Sequence, residues 1–205
     1  MRRGDNVFTD HLAGRSTIQR GPEFLLVVSI VPLCWLLMML VHEFGHVLGA
    51  WATGGTVERV IWHPLAFSRT DVAPNPAPLI VVWAGPLLGG LLPFAAWVML
   101  YRFPWAFVLR FFAGFCLIAN GGYIGLGSFD RLGDCGPMLS HGSPMWVLWV
   151  FGATYAAAGL CLWHRLGPKF GLGNEPEPVS RNLARIVAGL AALVVICGFV
   201  FGRLE

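Results

Sequence analysis

Charge is what this sequence has least of. Only 12% of its 205 residues are Asp, Glu, Lys or Arg, against 56% hydrophobic residues. That balance, with a mean hydropathy of +0.67, excludes an ordinary soluble domain and predicts an integral membrane protein with the lipid bilayer as its surroundings. No basic stripe occurs. The 14 Lys and Arg fall almost entirely in the tail and loops, so the net charge of +3 reflects membrane topology, and no nucleic-acid partner is expected. Five cysteines (Cys34, Cys116, Cys135, Cys161 and Cys197) include no Cys-x-x-Cys pair, which argues against a disulfide framework. The first apolar run exceeds signal-peptide length and lacks a small-residue cleavage site, so it reads as a retained span. No internal repeat, second soluble domain or accessory substrate-reading domain is evident.

What the chain does have is long apolar runs separated by Gly- and Pro-rich breaks. Residues 1–23 read as a polar N-terminal tail, closed by Gly21-Pro22. Residues 24–205 read as one polytopic membrane domain with about five spans, near 24–52, 79–101, 105–125, 144–163 and 183–201. The expected fold class is all-α integral membrane, multi-pass and in the cell membrane. A short interfacial strand pair or loop is expected after the first helix, where Thr56 to Val72 alternates loosely. Gly127 to Ser143 reads as a glycine-rich polar loop, and His63, His141 and His164 as solvated loop residues.

The first span contains His42-Glu43-Phe44-Gly45-His46. On a helix, histidines four residues apart share a face and can ligate one zinc, while the intervening glutamate reaches a water beside it. Six His and six Glu in a chain of this length would produce the pattern by chance in about five of a thousand sequences. Its position is also costly. A charged group at a helix centre costs about 2.5–3.5 kcal/mol on the insertion scale, so the motif calls for partners. His46 would lie about 10 Å from the C-terminal end of its helix, inside the membrane but near one surface. A hydrolytic zinc needs a third protein ligand. Asp130 and Asp134, in the loop on that same side, are the main candidates, with His63 and His141 as others.

These residues resemble the site-2 protease family of intramembrane zinc metallopeptidases. The resemblance covers roughly residues 24–140. It is carried by the His42–His46 motif, by Ala84-Gly85-Pro86-Leu87 in the second span, and by Gly133-Asp134-Cys135-Gly136 downstream. It implies a zinc cofactor held by His42, His46 and Asp134, Glu43 as catalytic base, and Asn120 as a residue that steadies substrate. The implied partner is a membrane-embedded or membrane-proximal protein substrate. Two features depart from the family pattern: the gap from Asn120 to Asp134 is longer and lacks its proline, and Cys135 stands where glycine usually follows the aspartate. Two other classes compete with a protease. One is a zinc-binding membrane protein that transports, senses or acts as a scaffold, and the other a catalytically inactive relative. The arginine and lysine distribution puts the N-terminus in the cytoplasm and opens the metal outward, whereas the resemblance implies a metal nearer the cytoplasmic face.

Overall fold

The computed structural model describes residues 21–202. Residues 1–20, most of the expected tail, lie outside the described residues. The last three expected tail residues instead open the first helix, α1 (Gly21–Ala52). Pro22 suits a first turn, where its missing N–H has no helical partner to lose, and Glu23 complements the positive end of the helix.

A hairpin follows, β1 (Val57–Ile61) and β2 (Arg69–Val72), and then α2 (Pro78–Leu100), α3 (Ala106–Asp130), short α4 (Cys135–Ser140), α5 (Met145–Trp163) and α6 (Arg181–Phe201). Five of these helices are long and apolar enough to cross a membrane. The chain is therefore an all-α multi-pass membrane protein with one two-stranded antiparallel sheet after the first helix.

Glycine sets how closely the helices approach. A Cβ on Gly45 would lie 2.5 Å from the Ala84 carbonyl oxygen, and one on Gly49 would lie 2.7 Å from the Ala84 Cβ, so the motif face of α1 rests directly on α2. Gly152 of α5 meets Gly125 of α3 in the same way. At the other end of the bundle, Leu26, Ile30 and Leu33 of α1 pack against Ala184, Val187 and Ala191 of α6.

The expected strand pair is present, and the turn that joins its strands reaches back along α1: the Trp62 indole N–H donates to the Leu36 carbonyl oxygen at 3.3 Å. Leu36 precedes the end of α1 by about 24 Å of helix rise. The connecting turn leaves Leu65 79% and Phe67 90% exposed, which suits contact with lipid rather than water. His63, expected to be solvated, is buried there against Phe199 of α6, with ring centroids 5.0 Å apart. The segment from Gly127 to Ser143 is also not simply a loop. Helix α3 runs on to Asp130, and α4 forms because Cys135 and Met138, three positions apart, bury beside Val82, Ile124 and Leu148. Apolar packing overrides the turn-forming glycines.

Candidate metal centre

Residues from four elements meet where α1 crosses α2 and α3. His42 and His46 are buried on one face of α1. The His46 Nδ1 lies 2.8 Å from the Val81 carbonyl oxygen of α2. A carbonyl only accepts, so Nδ1 carries the proton and donates, leaving Nε2 to share its electron pair. Gly85 makes room for this ring, since a Cβ there would fall on it.

His42 is oriented from α3 by the same logic. The Asn120 side-chain N–H donates to the Cys116 carbonyl oxygen at 2.8 Å, which turns Oδ1 toward the His42 Nδ1, 2.7 Å away. Nδ1 again donates, and Nε2 is again the free atom. Asn120, expected to contact substrate, is 1% exposed and uses both amide atoms inside the protein.

The two Nε2 atoms face each other at 3.1 Å, with the Asp134 Oδ2 2.9 Å from His42 and 3.3 Å from His46. These separations approach the edge of about 3.3 Å of a tetrahedron whose bonds are about 2.0 Å. Burial alone would raise the Asp134 carboxyl, but when a proton is shared with the facing His42 and His46 nitrogens it is held well below the usual carboxylate range. A triangle of two imidazoles and a carboxylate calls for positive charge at its centre, either a shared proton or a metal ion in its place. The donor set fits a metal ion.

Asp134 reaches this position through a reversal after α3. Arg131 and Gly133 adopt left-handed φ values of 55° and 47°, folding the chain back along the helix it has just left. The Asp134 backbone N–H then donates to the Tyr123 Oη at 2.8 Å, and the burial of Cys135 and Met138 secures the following turn of α4. Asp130, the other aspartate considered, is exposed at the end of α3 and does not join the group. His63 accepts the Leu65 backbone N–H at Nδ1, 3.1 Å away, and lies outside the group as well.

Glu43 is 3% exposed and faces the hairpin, where its Oε2 accepts the Thr70 hydroxyl at 2.7 Å. With the two histidines and Asp134 it lines an open cleft of about 500 Å³, whose other walls come from β2, the start of α2, Tyr123 and α4. Sequence reasoning missed Thr70, Tyr123 and the Val81 carbonyl. Tyr123 carried a usable signal, lying three residues after Asn120 and so on nearly the same helix face. Thr70 carried none, because its role depends on how the hairpin folds against α1. No family model, curated protein or solved structure matches this chain, so the centre has to be read from its own atoms.

Proposed function

We propose that the protein is an intramembrane zinc metalloendopeptidase of the site-2 protease kind, acting on membrane-embedded or membrane-proximal protein segments in the cell membrane. One observation carries this reading: two imidazole nitrogens and a carboxylate oxygen converge within 3.3 Å of one another, and a buried glutamate lines the same cleft. Two nitrogens and one oxygen at these separations suit zinc, which in hydrolytic sites takes three protein ligands.

Zinc, when bound, supplies a Lewis acid that draws charge from a carbonyl and makes a neighbouring water a better nucleophile. The chain's own residues do the rest. Asn120 and the Val81 carbonyl hold the imidazoles in the protonation state that presents Nε2. Glu43 takes a proton from the water as its oxygen adds to the scissile carbonyl carbon, then passes that proton to the leaving amine as the C–N bond breaks. One water and one peptide bond are consumed; one carboxylic acid and one amine are formed. The Thr70 hydroxyl fixes one oxygen of Glu43 and leaves the other for the proton. A substrate helix has its peptide groups bonded internally and must unwind locally before a carbonyl can enter the cleft.

The chemistry is tested by metal removal. Detergent-solubilised protein is expected to carry one zinc per chain, to cleave single-span peptide helices, to stop when treated with a chelator and to recover on zinc addition. Cleavage that survives complete chelation contradicts the proposal, and stoichiometric zinc without cleavage favours a carrier, sensor or scaffold. A second expectation concerns His42. Asn120→Leu removes the group that orients the ring, and zinc affinity is expected to fall by about 10–100-fold, read by competition with a chelator. Unchanged affinity would show that the amide has no such role.

A further inference from the structure

Tyr123 projects from α3 into the cleft, with its ring edge-on to His42 and the ring centroids 5.8 Å apart. Its oxygen accepts the Asp134 backbone N–H at 2.8 Å. Gly133 presses on the same oxygen from behind, and a Cβ there would occupy the hydroxyl's place. The oxygen is thus fixed one residue's backbone away from the carboxylate of the candidate metal group. A phenol has a proton to donate as well as lone pairs to accept with, and among the described residues no acceptor meets that proton. Tyr123 lines the cleft, so a bound ligand can meet that proton. Its position makes sense if the ligand brings the acceptor.

Three neighbouring residues already have other contacts. Thr70 gives its hydroxyl to Glu43, Arg69 is more than half exposed beside Asp71, and His141 turns its Nδ1 to the Pro137 carbonyl oxygen. We infer that Tyr123 is a further catalytic residue of this centre, its hydroxyl donating a hydrogen bond to the carbonyl oxygen of the peptide being cleaved. The inference rests on the hydrolytic reading above. As water oxygen bonds to the carbonyl carbon, the C=O electron pair moves onto the carbonyl oxygen. A donor already aimed at that oxygen strengthens its bond as the charge develops and needs no reorganisation to do so. No proton is transferred from Tyr123; it holds the charge while Glu43 carries the proton.

The test is Tyr123→Phe, which removes the hydroxyl and keeps the ring. With a single-span peptide helix as substrate, kcat is expected to fall by about 100-fold while KM stays within roughly threefold. Zinc content should remain one per chain. Affinity for a phosphinic peptide of the same sequence, whose anionic tetrahedral group carries the charge of the addition step, should fall by a similar factor to kcat. Binding of the uncleaved peptide, measured in Glu43→Gln protein with and without Tyr123→Phe, should not change. An unaltered kcat overturns the inference. Loss of zinc or of folded protein overturns it too, because the hydroxyl would then serve only to support Asp134. If the wild-type protein shows no Glu43-dependent cleavage, the hydrolytic reading fails first, and that outcome is distinguishable from an active enzyme indifferent to Tyr123.

Discussion

In Glu43→Gln protein, zinc is expected to stay bound at one per chain while peptide hydrolysis falls by about 10²–10⁴-fold, the range for losing a positioned general base. Glu43 is absent from the triangle formed by His42, His46 and Asp134, so its replacement leaves the three donors in place. The amide keeps the size of the carboxylate and an oxygen able to accept the Thr70 hydroxyl now bonded at 2.7 Å. What it loses is the ability to take a proton. The variant therefore separates metal binding from catalysis, measured as zinc content beside the rate of cleavage of a labelled single-span helix. Equal rates in the two proteins would remove Glu43 from the mechanism and leave a metal site without hydrolytic chemistry.

Asp134→Ala should have the opposite profile, with metal binding lost first and activity lost with it. The carboxylate closes the triangle at 2.9 and 3.3 Å from the two imidazoles, and it supplies the negative charge that two neutral histidines lack. Removing a partner that merely orients a ligand costs about 10–100-fold in affinity, so removing a ligand should cost more than about 100-fold. The backbone N–H bonded to Tyr123 and the buried Cys135 and Met138 remain, so α4 should stay docked. Asp130→Ala is the matched control. Asp130 is exposed at the end of α3, and its loss should change neither zinc content nor rate. If the two variants exchanged behaviours, the reversal through Arg131 and Gly133 would have been assigned to the wrong aspartate.

The sequence made the spans legible because apolar runs of about twenty residues have few other uses, and their boundaries came within a few residues for α1, α2, α5 and α6. The histidine pair was equally legible, since i, i+4 spacing places both rings on one face of a helix whatever surrounds it. The end of α3 was not. Gly127 and Gly133 suggested a loop, yet Gly127 is buried within α3 and the helix continues to Asp130. The longer spacing from Asn120 to Asp134 has a physical reading in this light: one strand of the connection is helix, and two left-handed residues bring the chain back. Asn120 was singled out for substrate, but its amide faces inward to His42. The hairpin's contacts with α1 and α6 depend on tertiary packing that a loose alternation of residues does not encode.

His42, His46 and Asp134 are proposed to hold one zinc together. Zinc K-edge X-ray absorption on the purified wild-type protein tests it most directly, with Asp134→Ala recorded alongside. The expected first shell holds imidazole nitrogens and oxygen at about 2.0–2.2 Å with no sulfur, and the Asp134 variant should lose the metal or one protein oxygen from that shell. Sulfur scattering at about 2.3 Å, or a spectrum that Asp134→Ala leaves unchanged, would contradict the account.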